Sequence, residues 1–147
     1  MSTVIPFRFE TRYDRGLLSA GVRFNLIRLI CDVDFESSDG WSSKYQAIVD
    51  TGSPANLIPL SIWAEAKNRI ILTKEFSLTG IGSGRVSGYL GEVTARFSYG
   101  SKSSGPLKIR TFLLNSDAVP LILGFDEFLD RGLLKSDYPK NLASLKF

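Results

Sequence analysis

Between Tyr89 and Tyr99 the chain alternates, with Tyr89, Val93, Ala95, Phe97 and Tyr99 on one side and the mostly polar Leu90, Glu92, Thr94, Arg96 and Ser98 on the other. Successive side chains of a strand point to opposite faces, so this segment predicts a half-buried β-strand. Apolar, β-branched and aromatic runs over Val4–Phe9, Val22–Phe35 and Tyr45–Val49 predict strands in the first half, and Leu107–Leu114 and Leu121–Leu123 predict strands in the second. Glu36-Ser37-Ser38-Asp39-Gly40 contains an Asp-Gly pair among serines, residues that tolerate positive φ, and predicts a hairpin-like connection. Ser61–Asn68 opens on a possible N-cap serine and holds good helix formers, which predicts a short helix; Asp126–Leu133 predicts a second, amphipathic one. Lys102–Pro106, rich in Ser and Gly, reads as an exposed, flexible loop. Many short strands and only two short helices predict an all-β barrel or sandwich.

The length of 147 residues fits one domain, able to bury a core without disulfides or metals. No stretch has the uninterrupted apolar length of a membrane helix, and Met1–Glu10, carrying Arg8 and Glu10, lacks the apolar core of a secretory signal; a cytoplasmic location is expected. The net charge of +3 comes from Lys and Arg interleaved with acids, which reads as a solvated basic surface and not a nucleic-acid site. Two absences narrow the chemistry further. The chain has no histidine and a single cysteine, Cys31, which excludes His-activated Ser or Cys nucleophiles, the common His/Cys zinc sites and any intrachain disulfide. Cys31 lies in the apolar run Leu26–Val33 and reads as a small core hydrophobe. No metal or cofactor is expected, and carboxylates become the candidate catalytic groups.

One acid stands out. In Gln46-Ala47-Ile48-Val49-Asp50-Thr51-Gly52-Ser53-Pro54-Ala55-Asn56-Leu57-Ile58-Pro59 an apolar strand runs into Asp-Thr-Gly-Ser and then into a second apolar run. Taken alone, Asp-Thr-Gly is also an ordinary turn sequence. Two further segments accompany it: the glycine-rich Thr79-Gly80-Ile81-Gly82-Ser83-Gly84, and Val119-Pro120-Leu121-Ile122-Leu123-Gly124-Phe125-Asp126, where an apolar run ends in Gly-x-Asp. Gly80-Ile81-Gly82 is a poor phosphate loop, because a strand pattern follows it and no Gly-Lys-Ser/Thr does.

In this order the three segments resemble the retropepsin-like aspartic proteases over about Tyr45–Leu134. The resemblance implies a closed, barrel-like fold with one or two short helices in a single domain over 1–147, with 1–44 as an extension of extra strands. It implies Asp50, Thr51 and Gly52 as the catalytic triplet, Ser53 as a hydrogen-bond donor to the outer oxygen of Asp50, and Gly124 as a supporting glycine beside the catalytic loop. Asp126 would cap the following helix. Gly80, Ile81, Gly82, Ser83 and Gly84 would form the flap over a peptide substrate, with Ile81, Leu57, Val119 and Leu121 as candidate subsite residues. Peptide hydrolysis without metal or covalent nucleophile uses two carboxylates that share a proton, one as base and one as acid. The chain holds one Asp-Thr-Gly, so the resemblance implies a homodimer, with Asn141–Phe147 as a candidate interface strand. Phe125 stands where the viral enzymes commonly have arginine, and that residue's contacts do not carry over. Two other readings stay open: a non-catalytic retropepsin-fold protein that dimerises or binds peptides, and a β-barrel binding module with a chance triplet.

Overall fold

The computed structural model describes residues 2–79 and 85–147. The proposed flap residues Gly80, Ile81, Gly82, Ser83 and Gly84 lie outside that range. The chain begins with β1 (Val4–Pro6) and β2 (Arg8–Tyr13), turns through helix α1 (Arg15–Ser19), and enters the long strand β3 (Asn25–Ser37). The predicted hairpin at Glu36–Gly40 joins β3 to β4 (Gly40–Trp41), with Gly40 at a φ of 112°. Then come β5 (Tyr45–Val49), β6 (Leu57–Ile58), helix α2 (Leu60–Trp63), β7 (Asn68–Leu78) and β8 (Val86–Tyr99). Strands β9 (Lys102–Ser103), β10 (Leu107–Leu114), β11 (Ile122–Leu123), β12 (Leu133–Asp137) and β13 (Leu142–Lys146) complete the chain.

The molecule is all-β in class, and six of its strands close a hydrogen-bonded ring in the order β3, β5, β11, β6, β10, β8 and back to β3. The β5–β11 and β6–β10 pairs are parallel and the others antiparallel. Alternation along the strands turns one face inward: Val93, Ala95 and Phe97 of β8 meet Val33, Phe35, Ala47, Ile109 and Leu123 in a core without solvent access to most of these side chains. Asp34 and Arg96, directly paired across β3 and β8, form an ion pair at that closure, with Asp34 buried and the Arg96 guanidinium 3.9 Å above the Trp41 ring. Cys31 is fully buried, and burial pushes its thiol pKa up.

A separate three-stranded sheet, in the order β1, β13, β12, covers one side of this core. It contributes Ile5, Ala143 and Leu145, while Phe147 stacks on Phe97 with ring centroids 5.8 Å apart. The C-terminal segment, a candidate interface strand from the sequence, is the middle strand of this sheet. Both of its edges are hydrogen-bonded within its own chain, to Val4–Pro6 on one side and Leu133–Asp137 on the other.

Two expectations are corrected. The segment from Asp126 is not an α-helix: Glu127 has φ 59°, which breaks helical geometry at its second residue, and only a single 3-10 turn over Leu129–Arg131 follows before β12. Helix α2 is a single turn starting after Pro59, and the donor Ser61 N–H is capped by Asp117 Oδ1 at 2.8 Å and not by a serine within the segment. Lys102–Pro106 is exposed at Lys102, Ser103 and Pro106, as expected of a loop, but opens on β9, and Ser104 accepts the Phe97 N–H on its hydroxyl and donates its own N–H to the Phe97 carbonyl.

Candidate active site

Asp50 is the first residue after β5, whose path is fixed on both sides by β3 and β11. Its N–H donates to the Leu123 carbonyl at 2.9 Å, so the backbone at the candidate catalytic residue is tied to β11. The chain then turns: Ser53 N–H donates to the Asp50 carbonyl at 3.2 Å, and Gly52 N–H donates to Asp50 Oδ1 at 2.8 Å. An added Cβ on Gly52 would come within 3.2 Å of that same oxygen, so glycine suits the close fold-back of backbone on carboxylate. Thr51 and Gly52 are exposed at the tip, and Asp50 is half-buried.

The Ser53 hydroxyl, expected to donate to the Asp50 carboxylate, directs its proton elsewhere. It donates to the Ala55 carbonyl at 2.7 Å and stiffens the loop two residues on. The loop is then clamped against the segment after β11. Phe125 N–H donates to the Ser53 carbonyl at 3.0 Å and Asp126 N–H to the Pro54 carbonyl at 3.1 Å. Gly124 lies so close that a Cβ there would overlap the carbonyl oxygens of Ser53 and Ala55. Asp126, expected as a helix cap, instead forms a two-pronged ion pair with Arg110, with both oxygens at 2.7 Å from guanidinium nitrogens. The guanidinium holds the Asp126 carboxyl below the usual carboxylate range, and the carboxylate raises Arg110 in turn.

Two residues of the site escaped the reading of the sequence. Asn56 is completely buried and joins three segments: its Nδ2 donates to the carbonyls of Arg110 at 2.9 Å and Asp126 at 2.8 Å, and its Oδ1 accepts from Gly124 N–H at 2.8 Å. The signal was present, since a lone amide inside the apolar run Ala55-Asn56-Leu57-Ile58 is placed where burial demands partners. The other is Arg28. The β3–β5 register ends at Leu29 opposite Val49, so one step further Arg28 stands opposite Asp50 on the same face. No sequence pattern pairs these two positions; only the register does.

Asp50 and Arg28 share a cleft of about 530 Å³ whose walls are largely apolar, with Ile48, Leu57, Phe112 and Ile122 among them. Of the expected subsite residues Leu57 lines this cleft. Val119 and Leu121 do not: both are buried in the interior, and the alternation of the extended chain presents Pro120 and Ile122 to the cleft in their place. Ile81 lies outside the described residues. No protein-family model matches the chain, and no curated protein matches it. Among the described residues no helix is long and apolar enough to cross a membrane.

Proposed function

We propose that this chain is one subunit of a retropepsin-like aspartic endopeptidase, in which Asp50 of two copies forms the catalytic dyad. The observation that carries the reading is the setting of Asp50: a single carboxylate at the mouth of an apolar cleft, its inner oxygen fixed by the Gly52 amide, on a loop clamped by Gly124 and Asn56. Such rigid placement on strand ends is what a catalytic group needs, since small misplacements are costly in rate. The exposed Thr51 and Gly52 leave the tip of the loop open to a second copy.

The chemistry follows from two carboxylates at contact distance, which cannot both ionise and therefore hold one proton between them. The ionised member takes a proton from a water molecule whose oxygen attacks the scissile carbonyl carbon. The protonated member gives its proton to the carbonyl oxygen. Collapse of the resulting tetrahedral diol breaks the C–N bond: the proton acquired by the base passes to the leaving amine, and one diol hydroxyl returns its proton to the other carboxylate as the carbonyl re-forms, which restores the shared proton. Ile48, Leu57, Phe112 and Ile122 favour apolar side chains flanking the bond.

A peptide analogue carrying a secondary hydroxyl between two apolar side chains mimics the tetrahedral diol, and it tests the reading. The expected result is competitive inhibition of peptide cleavage with an acidic pH optimum, reflecting the single shared proton. Cleavage that is indifferent to the analogue, or that is abolished by a chelator, would contradict the reading.

A further inference from the structure

Arg28 is the residue of the cleft to which the proposed chemistry gives no task. It and Asp50 are the only charged side chains among the described residues that line the cleft, and the rest of the wall is uncharged. The β2–β3 ladder sets Glu10 directly opposite Arg28 on one side, and the β3–β5 register, continued one residue past Val49, sets Asp50 opposite it on the other. Opposed residues of an antiparallel pair share a face, with Cα atoms about 4.5–5.5 Å apart, so Arg28 stands between two acids.

Neither acid holds it. Glu10 Oε1 takes Arg12 Nε at 2.9 Å, and Asp50 Oδ1 takes the Gly52 N–H at 2.8 Å. Among the described residues Arg28 forms no ion pair. Its side chain is exposed in the free chain, where water satisfies the guanidinium. A peptide lying in the cleft displaces that water. A guanidinium has five N–H donors and no acceptor, so covering it with an apolar side chain leaves a desolvated cation without a partner, which is costly. A carboxylate meets it with two parallel hydrogen bonds, as Asp126 meets Arg110 elsewhere in this molecule.

We infer that Arg28 determines specificity: it selects peptides that carry an acidic side chain close to the apolar pair that is cut. The inference rests on the aspartic-endopeptidase reading, which places the scissile bond at Asp50. An extended peptide rises about 3.3 Å per residue, and Arg28 lies one cross-strand step from Asp50, so the acid falls within about three residues of the bond.

Peptides with a central Phe-Leu pair, acetylated and amidated at their ends, test this when each flanking position in turn carries Glu or its uncharged isostere Gln. The ratio of kcat/KM for the Glu and Gln members is measured for the wild-type chain and for Arg28→Gln, Arg28→Lys and Arg28→Glu, with circular dichroism as the check on each fold. The ratio divides out what the two peptides share, ionisation of the dyad and assembly included, and so reports the contact with the peptide side chain. The expected result is a preference for Glu of about threefold to tenfold at one position in the wild type, kept in Arg28→Lys, lost in Arg28→Gln and reversed in Arg28→Glu. The preference should fade as pH falls through about 4.3, where the peptide's own carboxylate takes up a proton.

Equal rates for Glu and Gln members at every position in the wild type would overturn the inference. So would a folded Arg28→Gln protein that keeps the preference, or one that slows both members alike with the ratio unmoved, which would make Arg28 a support of Asp50 or of the assembly. A preference seen only when the peptides' C-terminus is left free would assign Arg28 to a terminal carboxylate and overturn the side-chain assignment. Binding of the same peptides to Asp50→Asn, with and without Arg28→Gln, separates this inference from the reading beneath it. Arg28-dependent binding of Glu peptides, in a protein whose wild type cleaves nothing, would leave the Arg28 inference standing and remove the aspartic-peptidase reading. A chain that neither cleaves nor binds any member would overturn both.

Discussion

Asn56 concentrates more structural consequence than any other polar side chain of the site. Three of its hydrogen bonds hold the Asp50 loop, β10 and the segment after β11 in one arrangement around a side chain that is itself fully buried. Replacing it with alanine orphans the Gly124 N–H, so Asn56→Ala should lower stability by about 2–3 kcal/mol in urea unfolding. Asn56→Asp should be no rescue, because a carboxylate cannot donate to the two carbonyls that Nδ2 serves. A stability within a few tenths of a kcal/mol of wild type for Asn56→Ala would show that the clamp lies elsewhere. Cys31 makes the opposite case: fully buried, with its thiol held protonated, it should resist thiol reagents in the native state and react only on unfolding.

At the scale of elements, the ion pairs that close the fold differ in kind. Asp34 is buried while Arg96 reaches it from a partly exposed position, so Arg96→Leu strands a carboxylate in the interior at a cost of about 3 kcal/mol. The double variant Asp34→Leu/Arg96→Leu should recover most of that loss; if it does not, the pair contributes more than mutual compensation. The Arg110–Asp126 pair is more exposed, and solvent screening leaves it a small contribution to stability. Its sign with pH is set by the lowered Asp126 carboxyl: the contribution is present above the ordinary carboxylate pKa of about 4 and fades as pH falls through the lower folded value. Asp126→Asn should therefore lose stability at neutral pH and show a flatter acid limb than wild type.

Strands with a clean alternation were legible in the sequence, β8 and β10 above all, because one buried face imposes period two. β7 was not, since nearly every residue from Asn68 to Leu78 is exposed or only half-buried and its pairing to β8 shifts register between Ile70 and Glu75. The predicted helix at Asp126 failed because tertiary demands prevailed over helix propensity: Asp126 is drawn to Arg110, Glu127 takes a left-handed backbone, and Glu127 accepts the Arg110 N–H. The Asp50 loop and Gly124 could be named from their residue types, whereas Asn56 and Arg28 matter through contacts with residues far away in sequence.

For the whole molecule, the proposed function requires a second carboxylate beside the single Asp50 that lines the cleft, which makes two chains around Asp50 its working unit. The most direct measurement is cleavage of a peptide library at acidic pH by the wild-type chain and by Asp50→Asn, an isosteric change that removes the shared proton and leaves the Gly52 N–H its acceptor. The account predicts cleavage between apolar residues by the wild type and loss of it in a variant with unchanged circular dichroism and melting. A folded Asp50→Asn protein that cleaves at the wild-type rate would contradict it.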